Sequence, residues 1–175
     1  EDYARRGVRC LLSVSEAESD MSVLIRAHGI PRNVEEELRK RCARVEDATC
    51  PRVKNAQLAI AEATVSGREL LLYGEAEHPE VRGLISYAAG ASHIFSSLAE
   101  LEQLLNREVL EVRPMVLAAQ TTQDRLIFDE MYRRLASRFG ASLVMLDTIC
   151  DATRERQEEA GEVAARVQAM VVAGG

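Results

Sequence analysis

The chain has 175 residues, 47% of them hydrophobic, with 22 basic against 28 acidic side chains and a net charge of -6. That length allows one ordinary domain or parts of several small ones, with enough apolar residue to bury a core. The acidic balance is spread along the chain without blocks and argues against nucleic-acid or acidic-membrane binding, which want a basic face; no apolar run is long enough to cross a membrane.

Taken in chain order, "EDYARRG" opens as a helix and "VRCLLSV" (8–14) reads as a strand. "SVLIRA" (22–27) is a second strand, followed by a helix over 33–42 and a strand at "RVED" (44–47). A helix over 52–66 then leads to the strand "ELLLYG" (69–74), a helix over 79–89 and the strand "HIFS" (93–96). A helix over 98–105, the strand "PMVLAA" (114–119), a helix over 123–138 and the strand "SLVMLD" (142–147) come next. The last helix covers 153–167, and "AMVVAG" (169–174) reads as a final strand just reaching its loop. Short apolar runs alternating with helical periodicity predict an α/β fold with mostly parallel sheets. Pro31, Pro51 and Pro79 each stand where a helix begins, as their fixed φ allows. With both ends cut inside predicted elements, the sequence reads as a piece of a longer protein.

The four cysteines lie in no close-spaced framework, so a reducing, cytoplasmic compartment is expected. Cys10, inside an apolar run, reads as buried, and Cys42 as a partly buried helix residue. Cys50 and Cys150 are different. Each ends an Asp-x-x-Cys segment between a predicted strand and a predicted helix, and an offset of 100 residues also places Gln57 on Gln157 and Glu62 on Glu162. A cysteine at a helix N-terminus feels the positive end of the macrodipole, which favours the thiolate as nucleophile, redox centre or metal ligand. A second echo supports a repeat: "VLIRAHGIP" and "LLLYGEAEHPE" both run strand, polar loop with His, Pro, helix, and "MVLAAQTTQD" puts Gln120-Thr121-Thr122 in place of the His.

All these polar groups follow the carboxyl ends of predicted strands, the edge where parallel α/β sheets bind ligands. Cys50, Cys150, His28, His78, Glu80 and Thr121 are therefore candidates for one cavity. Plainer roles compete: Glu80 as a partner of its helix dipole, Thr121 and Thr122 as caps of the helix from 123, and His93 as a surface or capping residue. Arg156 and Gln157 either orient a neighbouring loop or lie on a solvated helix face. Two further readings of the whole are a phosphate-ligand or protein-binding α/β module with structural cysteines, and thiol exchange between Cys50 and Cys150, which no close CxxC pair favours.

In this order, "RAHGIP", "DATCP", "HPEVRG", "AQTTQD" and "TICDATRERQ" resemble the 4-hydroxy-3-methylbut-2-enyl diphosphate reductase family, iron–sulfur oxidoreductases of the methylerythritol phosphate route to isoprenoids. The resemblance implies a three-lobed, pseudo-threefold α/β arrangement of which this chain is a central piece. Residues 1–49 would end the first lobe, 50–146 would form the second and 147–175 would open the third. It implies a 4Fe-4S cluster held by Cys50, Cys150 and a third cysteine upstream of residue 1, with His28 and His78 binding the substrate diphosphate. Glu80 would be the proton donor, and Thr121 would hold Glu80 and the substrate hydroxyl. The implied reaction is reductive dehydroxylation to isopentenyl and dimethylallyl diphosphate, with ferredoxin or flavodoxin as electron donor. The family's early His pair and its Ser-Ser-Asn loop have no counterpart between residues 1 and 175, so this piece alone is expected to be inactive.

Overall fold

The computed structural model describes residues 2–106 and 113–173. Its centre is a four-stranded parallel sheet made of β3 (Glu69–Tyr73), β4 (Ser92–Phe95), β5 (Met115–Ala119) and β6 (Leu143–Met145), in the order β4-β3-β5-β6. Helices cover both faces, as continuous apolar runs such as "LLLY" and "MVLAA" require. The even positions of β3, Leu70 and Leu72, join Val116 and Ala118 against α3 (Pro51–Thr64) and α4 (Pro79–Ile85), which supply Ala56, Ile60, Val81 and Leu84. Leu71, Tyr73, Met115, Leu117 and Ala119 face the other way, onto Leu101 of α5 (Leu98–Asn106) and Phe128, Met131 and Leu135 of α6 (Arg125–Phe139). The fold is thus mixed α/β with parallel sheets, in three layers.

A second, two-stranded parallel sheet pairs β1 (Ser22–Ile25) with β2 (Arg44–Asp47), connected through α2 (Arg32–Arg41). Before it come a short helix α1 (Asp2–Arg5) and a 3-10 turn at Val14–Glu16 capped by Ser13; after β6, helix α7 covers Asp151–Ala164.

Two predicted strands are not strands. Residues 8–13 and 169–173 carry no regular structure, and Gly174 lies outside the described residues. Strand hydrogen bonding needs a neighbour, and among the described residues none lies beside either run. Their side chains face solvent instead: Leu12 is 90% and Val171 94% exposed. Cys10, expected to be buried, is exposed for the same reason, whereas Cys42 is partly buried at the C-terminus of α2. His93 is not a surface or capping residue either. It lies in β4, half-buried, with its Nε2 2.9 Å from Glu69 on the neighbouring strand.

Polar contacts hold the small sheet against the large one. Lys54 on α3 lies 3.1 Å from Glu35 of α2 and 2.8 Å from Asp47 at the end of β2. The Tyr87 hydroxyl donates to the same Glu35 over 3.1 Å, and Arg39 closes on it from the next turn of α2 at 2.9 Å. Burial pushes the Asp47 carboxyl up, but the Lys54 ammonium and the hydrogen bonds from Thr49 outweigh it and hold the group at about 2. Burial likewise pulls the Lys54 ammonium down, and its two carboxylate partners more than reverse that.

The lowered Asp47 value ties stability to pH. Its folded value lies below the ordinary 3.8, so its contribution is complete above about pH 4 and is lost as pH falls towards 2. Asp47→Asn is expected to lower stability by about 1 kcal/mol at neutral pH and to flatten the acid limb of a stability-versus-pH curve measured by urea denaturation.

Candidate active site

In the order β4-β3-β5-β6, the chain leaves β3 towards one edge of the sheet and β5 towards the other. That is a topological switch point, where the loops beyond two adjacent strands separate and open a crevice. The loop after β3 leads into α4 with His78, Pro79 and Glu80; the loop after β5 carries Gln120, Thr121 and Thr122.

These loops are joined by hydrogen bonds that form a single chain. His78 is the N-cap of α4, and its Nδ1 accepts the Glu80 backbone N–H at 3.1 Å. In a neutral ring the proton then sits on Nε2, which is left as a donor. Glu80 is 1% exposed, and its Oε1 accepts the Thr121 backbone N–H at 2.7 Å. That bond holds the Glu80 side chain against the loop after β5. Thr121, 5% exposed, passes the chain on: its carbonyl accepts the Cys150 N–H at 2.9 Å.

His28 enters from the small sheet. It stands three residues beyond β1, in a turn closed by the Gly29 N–H donating to the Arg26 carbonyl. Gly29 has φ +71, a conformation that favours glycine. The turn sets the His28 ring edge-on to His78 with centroids 5.5 Å apart. Next to it, the Ala27 carbonyl accepts the Cys50 N–H at 2.9 Å.

Cys50 and Cys150 occupy matching positions. Each is the N-cap of a 14-residue helix, with ψ 131 and no capping hydrogen bond from its side chain. A Ser, Thr or Asp there would spend its oxygen on the helix N–H groups, whereas the thiols remain free of that task and partly exposed. The two helix starts meet directly: Arg52, two residues after Cys50, pairs with Asp151, the residue after Cys150. A groove of about 340 Å³ lies between α3 and the segment leading from β6 to α7, lined by Arg52, Asn55, Ala56, Ala59 and Met145–Ile149. All six predicted residues thus lie along one connected path.

The donor chemistry suits a thiolate-bound metal centre, but the count is short. Two cysteines begin the adjoining helices α3 and α7, and among the described residues no group of three or more His, Cys, Asp or Glu side chains is placed to hold a metal. Other expectations need correcting. Thr121 and Thr122 do not cap the following helix; Asp124 does, accepting the Ile127 N–H at 2.8 Å. Gln157 does reach a neighbouring loop, donating to the Gln123 carbonyl at 3.4 Å.

Two buried glutamines were not among the predicted site residues. Gln120, 3% exposed, accepts the Glu75 N–H at 3.2 Å and so ties the loop after β3 to the one after β5. A Cβ on Gly74 would meet Val81 at 2.8 Å and Gln120 at 3.1 Å, so glycine there permits the approach. Gln57 of α3 is 1% exposed. Its signal in the sequence is a lone amide in the apolar stripe Val53, Ala56, Ile60.

Comparison with known proteins gives one consistent picture. The family model described as LytB protein matches residues 1–175. The chain is 54% identical over 175 residues to a 4-hydroxy-3-methylbut-2-enyl diphosphate reductase of Nitratidesulfovibrio vulgaris (strain DP4), covering 100% of this chain and 59% of that protein. A solved (E)-4-hydroxy-3-methyl-but-2-enyl diphosphate reductase, 34% identical, superposes with a TM-score of 0.64 over 91% of this chain and 56% of its own. The Plasmodium falciparum E-1-hydroxy-2-methyl-but-2-enyl-4-diphosphate reductase, at 20% identity, shares the fold with a TM-score of 0.80 over 94% of this chain and 51% of its own. The chain therefore spans about three-fifths of the length of the curated relative.

The Glu80–Thr121 bond gives a test of the geometry itself. Glu80→Ala leaves the Thr121 N–H buried without an acceptor and is expected to destabilise by about 2 kcal/mol in urea denaturation. Glu80→Gln, which keeps an oxygen in place, is expected to stay within about 1 kcal/mol of the parent.

Proposed function

The chain belongs to the LytB protein family, and from that premise we propose that it forms the central part of an iron–sulfur oxidoreductase that removes the hydroxyl of (E)-4-hydroxy-3-methylbut-2-enyl diphosphate. The products are isopentenyl and dimethylallyl diphosphate. The observation that carries this reading is the connected path Cys50–His28–His78–Glu80–Thr121–Cys150 at a sheet switch point.

Residues 1–49, 50–146 and 147–175 are read as the end of one lobe, a complete second lobe and the start of a third. Cys50 and Cys150 are two ligands of a 4Fe-4S cluster, and a third thiolate comes from outside these 175 residues, as the greater length of the relatives allows. Three such thiolates would hold the cluster with a position left for substrate. When bound, the cluster supplies Lewis acidity and passes on electrons one at a time from ferredoxin or flavodoxin.

The chain's own residues do the rest. The His78 Nε2–H and the His28 ring, 5.5 Å apart between centroids, bind oxygens of the diphosphate. The allylic hydroxyl lies by Thr121 at the crevice floor. Loss of a hydroxyl needs a proton, and Glu80, engaged through Oε1 by the Thr121 N–H, offers its second oxygen as the donor. Two electrons and two protons turn the alcohol into the alkene and one water. Burial of Glu80 keeps bulk water from competing at that oxygen.

Anaerobic reconstitution of the full-length protein with iron and sulfide is expected to give a brown protein that turns over this allylic alcohol. Cys50→Ser is expected to lose the visible absorption. Glu80→Gln is expected to keep the colour while turnover falls roughly 10²–10⁴-fold. A colourless protein that still turned over would overturn the reading.

A further inference from the structure

Gln57 is 1% exposed, and both atoms of its amide, Nε2 and Oε1, lack a hydrogen-bond partner. The buried residues nearest it on α3, Val53, Ala56 and Ile60, are apolar. A buried amide with no partner costs stability that an apolar side chain of the same shape would not, so its place here needs a reason.

Its surroundings supply one. A Cβ built on Gly29, beside His28, would fall 2.8 Å from Nε2, and the Thr49 methyl and hydroxyl lie 3.3 and 3.6 Å from the same point. A Cβ built on Gly83, one turn beyond Glu80, would fall 3.3 Å from Nε2, with the Ile30 and His28 carbonyls 3.7 and 3.9 Å away. The amide thus sits where three segments meet: the His28 turn, the loop ending in Cys50 and the helix that starts beyond His78. It makes no hydrogen bond to any of the three.

We infer that Gln57 is a positioning residue whose amide becomes hydrogen-bonded to the backbone of the His28–Ile30 turn when a diphosphate draws His28 and His78 together. The inference rests on the diphosphate reading of those two histidines. It couples ligand affinity to a bond that the free protein does not make. Removing the amide therefore weakens binding while sparing the fold, the reverse of what a purely structural residue would do.

The test uses the full-length, cluster-loaded protein and two apolar variants, Gln57→Met and Gln57→Leu. Calorimetry with inorganic pyrophosphate is expected to show roughly tenfold weaker binding for both, the scale of one lost hydrogen bond. KM for the allylic diphosphate should rise by a similar factor with kcat within about twofold, and the melting temperature of Gln57→Met should equal or exceed that of the parent. If the parent binds pyrophosphate and the variants bind it equally well, the inference fails and the functional reading stands. A drop in melting temperature in both variants with KM unchanged also overturns it. A parent that neither binds pyrophosphate nor turns over the substrate removes both.

Discussion

The hydrogen bond from the Thr121 N–H to the buried Glu80 carboxylate is the contact on which the site depends. It spans the crevice between β3 and β5, where the parallel sheet sends its chain in opposite directions. Together with the Gln120 side chain, which accepts the Glu75 N–H, it holds the two loops side by side beyond the last paired residues, Tyr73 and Ala119. The same peptide unit of Thr121 carries the order onward: its N–H fixes Glu80, its carbonyl fixes Cys150. A residue can do this only from an edge where its backbone has left the ladder yet stays buried. The N–H and C=O that a strand would have spent on a neighbour are spent on the site instead.

The position of His28 has a different origin. The small sheet contributes little to the apolar core, with Leu24 70% exposed, so its placement rests on charge. Glu35, Asp47 and Lys54 join α2, β2 and α3, and Tyr87 extends the contact to the segment beyond α4. The Arg32 N–H adds a bond to the Ser86 hydroxyl at 2.9 Å. Directional polar contacts fix an orientation more narrowly than apolar packing does. The two imidazoles, carried by different sheets, need that orientation to stand 5.5 Å apart.

What the sequence made legible was whatever is written in local pattern. Runs such as "ELLLY" and "MVLAA" carry their own burial, and the loops after them could be located before any pairing was known. The six candidate residues were found because they follow such runs. What failed depended on partners far along the chain. "VRCLLSV" has the composition of a strand but no neighbour among the described residues. Asp124, not a threonine, caps α6, and Thr121, three residues earlier in the same loop, has its N–H held by Glu80. Gln57 was visible only as half of a repeat; its burial came from the two glycines that close over it, 26 and 28 residues away in sequence.

The repeat itself is more exact in the backbone than in the side chains. Ala27 and Thr121 both stand two residues beyond a strand, and each carbonyl accepts the N–H of a cysteine that begins a 14-residue helix. The preceding aspartates have diverged: Asp47 turns back on Thr49 and Lys54, while both Asp147 oxygens accept from the Arg125 Nη1 at 2.8 Å. Thr148 adds a bond to Ala119 where Ala48 offers no side chain to do so. The two copies thus agree in where they place a thiol and disagree in what surrounds it. The proposed function would use both: equivalent thiols for one common centre, and unlike neighbours for a ligand with a diphosphate at one end and a hydroxyl at the other.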